Sequence, residues 1–138
     1  MENLDRQKTI LVVDDDEAIR DLLKRILNKE GYHVSSARDG SEALEILKTN
    51  SVDIVLSDMN MPNLSGFELL KQIREVHPTI GVIIMTSYGD IYSIKDSLLL
   101  GADEYICKPF KSQEIVMIIE KVYWRILSVR NALAESSS

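Results

Sequence analysis

Residues 9–16 read TILVVDDD, a short apolar run that ends abruptly on three acids. The run shows no alternation of apolar and polar residues, which is the pattern of a strand covered on both faces. Similar runs stand at 53–57 (DIVLS) and 81–86 (GVIIMT), with shorter ones at 33–37 (HVSSA) and 104–107 (EYIC). HVSSA is the most polar of the five and is expected at a sheet edge. Amphipathic segments separate them. Ile19, Leu22, Leu23, Ile26 and Leu27 recur on one helical face, and Gly31 follows as a stop. Residues 41–49 form a second predicted helix. Ser65 and Glu68 have the spacing of a capping box before Leu69, Leu70 and Ile73, a third helix that ends before Pro78. Asp90 can cap a fourth carrying Ile91, Ile94 and Leu98 up to Gly101, and Ser112 can cap a fifth. Five strands alternating with five helices predict an α/β fold, a doubly wound parallel sheet with helices on both faces.

The fifth predicted helix is long. Ile115, Ile119, Val122, Ile126, Val129 and Leu133 recur at spacings of 4, 3, 4, 3 and 4, a period that suits a coiled-coil seam. Residues 115–122 are expected to cover the sheet, whereas positions beyond about 126 outrun it and need another partner. The expected division is a domain over 1–126 and a helical extension with a frayed tail over 127–138.

Composition narrows the function. At 138 residues, with 45% apolar and 28% charged, the chain has room for one core and is too apolar for disorder. Sixteen basic against 22 acidic residues leave a net charge of −6, which repels a nucleic-acid backbone. No apolar run approaches the roughly 20 residues of a membrane span, and MENLDRQK lacks the features of a secretory leader. With Cys107 as the single cysteine, a reducing, cytoplasmic setting is expected.

In an open parallel sheet, ligands bind beyond the carboxyl ends of the strands. There the chain places Asp14, Asp15 and Asp16 after the first strand, Asp58 after the third, Thr86 at the end of the fourth and Lys108 after the fifth. Crowded carboxylates on short loops suit a hard cation such as Mg²⁺ (or Mn²⁺), which leaves room for a phosphate. A lysine opposite suits phosphate oxygens. An aspartate in that setting can act as a nucleophile toward phosphorus. Asp16 is expected to cap the first helix, and His33 and His77 are expected to be structural.

The segments LVVDDDEAIRDLL, VDIVLSDMNMPNLSGFELL, GVIIMTS and GADEYICKPF strongly resemble the receiver domain of bacterial two-component response regulators. The resemblance covers about residues 8–125. It implies a flavodoxin-like five-stranded sheet of order 2-1-3-4-5. It implies that Asp58 is the phosphoacceptor, that Asp15 is the principal metal ligand with Asp14 assisting, and that Asn60 offers its backbone carbonyl. Thr86 and Lys108 would bind phosphoryl oxygens, Lys108-Pro109 would be cis, and Tyr105 would be the switch aromatic. Asn60 and Tyr88 would flank the site. The implied donor is a histidine kinase or phosphotransfer protein. The implied output is a change in the face formed by the fourth helix, fifth strand and fifth helix, read by an effector, an output domain or a second copy of the chain.

Two other functions fit parts of the pattern. A Mg²⁺-dependent phosphohydrolase would use Asp14 and Asp16 as nucleophile and second acid, but it would need a cap for which the chain has no spare length. A flavin electron carrier would place hydroxyls and backbone N–H groups after the first strand, where this chain has three acids.

Overall fold

Along the first strand, Ile10 and Val12 enter one hydrophobic core while Leu11 and Val13 enter another. A strand sends successive side chains to opposite faces, so an unbroken apolar run needs a helical layer on each side. The computed structural model describes residues 7–87, 95–96 and 98–136. Its elements are β1 (Thr9–Val13), α1 (Glu17–Lys29), β2 (His33–Ala37), α2 (Gly40–Thr49), β3 (Ile54–Asp58), α3 (Gly66–Val76), β4 (Gly81–Ser87), β5 (Glu104–Lys108) and a C-terminal helix over Ser112–Ser136. The strands form one parallel sheet of order β2-β1-β3-β4-β5, with the polar β2 at an edge. Ile54 and Leu56 of β3 and Ile83 and Met85 of β4 join the core under α1 and the C-terminal helix. Val55, Val82 and Ile84 join the core under α2 and α3. Each such fully buried side chain contributes about 1.5–3 kcal/mol.

Caps delimit the helices. Asp16 accepts from the Ala18 N–H to start α1, Asp39 accepts from Glu42 to start α2, and Ser65 accepts from Glu68 to start α3. Gly31, at φ 92°, takes the left-handed conformation just past α1 that few other residues tolerate.

Several expectations are adjusted. The strand expected at 53–57 begins one residue later, because Asp53 lies at the foot of the sheet with its carboxylate on the Thr9 N–H at 2.9 Å. Ser112 does not cap the C-terminal helix but is its first residue; the Glu114 carboxylate instead accepts from the Lys111 N–H at 2.9 Å. On α1, Leu23 and Leu27 are fully buried but Leu22 is 40% exposed, on the wall of a groove facing Val116 and Met117. Four helices are delimited among the described residues, against five expected. Asp90, Ile91 and Ile94 of the fourth lie outside those residues. Its described end is helical at 95–96 and 98–99, with the Leu100 N–H on the Asp96 carbonyl at 3.0 Å, and it stops at Gly101. Among the described residues no helix is long and apolar enough to cross a membrane.

The apolar stripe of the C-terminal helix divides as its geometry requires. Ile115, Ile119, Val122 and Ile126 are buried, whereas Val129 and Leu133 are 48% and 54% exposed. Between them Arg130 turns back to the sheet, its Nη1 on Asp53 Oδ1 at 3.1 Å.

Candidate functional site at the carboxyl end of the sheet

β1 delivers Asp14 one residue beyond its last ladder pair, with the Asp14 N–H still bonded to the Ala37 carbonyl at 3.2 Å. The side chain is fully buried. Its Oδ1 accepts from the Asp16 N–H at 2.9 Å and its Oδ2 from Lys108 Nζ at 2.9 Å. Its backbone carbonyl accepts from Arg20 Nη1 at 2.7 Å. Asp15 is exposed beside it. Asp16 turns away to cap α1, so the acids of the DDD run divide into two at the site and one in a helix cap.

β3 ends on Asp58, which is 8% exposed. Lys108, at the end of β5, reaches the ends of both strands, with Nζ 3.4 Å from Asp58 Oδ1 as well as 2.9 Å from Asp14 Oδ2. One carboxylate oxygen each from Asp14, Asp15 and Asp58 lie within 4.8 Å of one another. Asp14 and Asp58 thus share one ammonium, with Asp15 beside them. Burial pushes the Asp58 carboxyl above its ordinary pKa; Lys108 opposes the shift, Asp14 adds to it, and a hydrogen bond from the Asn60 backbone lowers it in part. Burial by itself lowers the Lys108 pKa, but its hydrogen bond to Asp14 and the charges of Asp58 and Asp14 outweigh burial and raise it. It stays an ammonium. The buried carboxylates therefore outnumber the ammonium between them, and the cluster's donor set is all oxygen, the chemistry that suits Mg²⁺ or Mn²⁺.

The other expected residues stand at the same end of the sheet. Thr86 is fully buried, one residue beyond Met85, the register partner of Asp58. Its Oγ1 donates to Cys107 Sγ at 3.6 Å. Tyr105 is half-buried on β5, Asn60 is exposed just past β3, and the Lys108-Pro109 bond is cis. Tyr88 lies outside the described residues. Of the two histidines, His33 is exposed at the start of β2 and His77 is the C-cap of α3. The pairing of Asp14 with Asp16 that a phosphohydrolase would use is not formed. Asp14 has both oxygens engaged in a buried position, and Asp16 serves a helix.

Two supporting residues escaped the sequence reading. A Cβ at Gly66 would stand 2.6 Å from the Asp58 carbonyl and 2.8 Å from Met59 Cα, and the Gly66 N–H binds the Met59 carbonyl at 2.9 Å. Only glycine lets α3 start this close to the strand end that carries Asp58. A glycine at the first position of a helix, where almost any residue would do, is the signal that could have found it. Arg20 is the other; its hydrogen bond to the loop holding Asp14 and Asp15 leaves no mark in periodicity.

Residues 10–120 match the family model described as the response regulator receiver domain. The chain is 43% identical over 112 residues to sporulation initiation phosphotransferase F of Bacillus subtilis, covering 81% of this chain and 90% of that protein. It is 40% identical over 112 residues to the DNA-binding transcriptional regulator NtrC of Escherichia coli, covering 81% of this chain but 24% of the relative. With the transcriptional regulatory protein CpxR of Klebsiella pneumoniae it shares 42% over 116 residues, 84% of this chain and 49% of the relative. Among solved structures, a response regulator receiver domain protein from Clostridium thermocellum superposes with a TM-score of 0.84 at 34% identity, covering 88% of this chain and 98% of that one. NtrX from Brucella abortus superposes with a TM-score of 0.89 at 30% identity, covering 92% of this chain and 29% of that one. The chain thus spans most of one relative and half or less of the longer regulators.

Proposed function

The chain belongs to the response regulator receiver domain family, and from that membership we propose that it is a phosphorylation-controlled switch with Asp58 as its phosphoacceptor. One observation carries the assignment of the residue. Asp58 closes the central strand with Lys108 at 3.4 Å and with Asp14 and Asp15 inside one oxygen cluster. A carboxylate oxygen of Asp58 attacks phosphorus, the bond from phosphorus to the donor breaks, and an acyl phosphate remains. Lys108, held as a cation, passes from the carboxylates to the phosphoryl oxygens and offsets their charge. Asp15, Asp14, Asp58 and the Asn60 carbonyl would hold Mg²⁺ (or Mn²⁺). When bound there, the ion supplies charge neutralisation for the carboxylates and the transferring group.

Thr86 then turns its hydroxyl to the phosphoryl group and Tyr105 turns inward, which alters the surface around β5 and the neighbouring helices. A histidine kinase or phosphotransfer protein supplies the phosphoryl group, in a cytoplasmic setting. The relative whose length the chain nearly spans is named a phosphotransferase, which supports onward transfer. The longer relatives are named transcriptional regulators, which supports control of an output domain. Residues 1–126 would then be the receiver and 127–138 an extension that leads to an output or to a homodimer contact.

The test is intact mass after incubation with acetyl phosphate and Mg²⁺. One labile phosphoryl group is expected, absent in Asp58→Ala and in a metal-free sample. Stable incorporation at another residue in folded Asp58→Ala would overturn the assignment.

A further inference from the structure

Thr86 is completely shielded from solvent, and a hydroxyl in that position is held by a hydrogen bond. Its acceptor is the thiol sulfur of Cys107, 3.6 Å from Oγ1. Thr86 and Cys107 are directly opposed in the β4–β5 register. Their side chains therefore leave the same face of the sheet, and the backbone brings them together. Sulfur is a weak acceptor. The hydroxyl that must turn toward a phosphoryl group is thus satisfied, but by one of the weakest partners a side chain can provide.

We infer that Cys107 is a positioning residue that holds the Thr86 hydroxyl loosely in its resting orientation and so sets how readily that hydroxyl transfers to a phosphoryl group on Asp58. This rests on the roles given above to Thr86 and Asp58. An apolar residue at position 107 removes the resting acceptor, leaves the buried hydroxyl unsatisfied, and so raises the resting state relative to the phosphoryl-bound one. A serine offers a stronger acceptor and lowers it. A residue that merely fills space would show no dependence on whether position 86 carries a hydroxyl.

The experiment is a ¹⁹F NMR titration with beryllofluoride, a tetrahedral stand-in for the phosphoryl group, in the presence of Mg²⁺. The proteins are wild type, Cys107→Val, Cys107→Ala and Cys107→Ser, each also prepared with Thr86→Val. The loss or gain of one hydroxyl hydrogen bond predicts about fivefold tighter binding for Cys107→Val and Cys107→Ala and about fivefold weaker binding for Cys107→Ser. All three differences should vanish when Thr86 is valine. Affinities indistinguishable from wild type, or shifts that persist unchanged in the Thr86→Val proteins, would overturn the inference while leaving the phosphoacceptor reading intact. Absence of beryllofluoride binding by folded wild-type protein would overturn that reading, and this inference with it.

Discussion

The two ends of the sheet both bury acids against bases, yet they do so with opposite charge balance. At the amino end, Asp53 is 1% exposed with one oxygen on Arg130 and the other on the Thr9 N–H. Nearby, Asp103 is matched by Arg74, whose guanidinium also donates to the Gly101 and Ile80 carbonyls. Each acid there has a guanidinium of its own. At the carboxyl end, the buried Asp14 and Asp58 share the ammonium of Lys108, with the exposed Asp15 in the same cluster. The balanced end fixes the β1, β3 and β4 starts to the C-terminal helix. The unbalanced end holds carboxylate charge that its ammonium does not match, as the cation site proposed there requires. A buried acid therefore signals function through its charge deficit and not through burial alone.

Substitutions at the two ends should separate along that line. The largest effect is expected for Arg130→Met, which removes one charge-assisted hydrogen bond from the buried Asp53 carboxylate and should lower stability by about 3 kcal/mol in urea unfolding. A change too small to resolve would mean that the foot of the sheet does not depend on this pair. Gly66→Ala comes next. The added methyl meets the backbone of Asp58 and Met59, and overpacking against atoms that cannot rotate away should cost about 2 kcal/mol and slow phosphorylation by acetyl phosphate as Asp58 is displaced. Normal phosphorylation in this variant would show that the strand end absorbs the methyl without moving the acid.

Asp58→Asn is expected to have a smaller effect of opposite sign. Burial raises the Asp58 pKa in the folded protein, so the folded state holds that proton more tightly than the unfolded chain does. The stability this confers is complete below the unfolded carboxyl pKa and is lost as pH rises through the folded value. The substitution removes that loss. Metal-free Asp58→Asn should melt above wild type near neutral pH, with the gap closing toward about pH 4, and Mg²⁺ should raise the wild-type midpoint more than the variant's. A wild-type midpoint equal to the variant's at neutral pH without metal would show that Lys108 alone balances the cluster. The smallest effect belongs to the exposed Lys48–Glu45 pair on α2, 68% and 72% exposed. Lys48→Ala should change stability by no more than about 0.5 kcal/mol, and a larger loss would place this helix face in a contact yet to be found.

Local chemistry made much of this architecture readable. The runs at 10–13, 54–56 and 82–85 are apolar at every position because both faces of their strands are covered. Gly31, Ser65 and Asp16 act where they stand in the chain, as a stop and two caps. The acids and the lysine were visible because strand ends of a parallel sheet meet at one edge. Residues that act across the fold were not readable in this way. Gly66 matters through a backbone 2.6 Å away, Arg20 through the Asp14 carbonyl, and Ser112 lost its expected capping role to Glu114. None of these changes the hydrophobic period.

The sequence by itself determined the alternation of strands and helices and the clustering of acids with one lysine, because periodicity and strand-end position are properties of the chain read in order. Only the tertiary structure decided how those charges are shared. Lys108 divides itself between Asp14 and Asp58, Arg20 binds the Asp14 carbonyl, and Arg130 reaches 77 residues back to Asp53. Electrostatic energy depends on separation in space, and folding sets that separation among side chains that lie far apart along the chain.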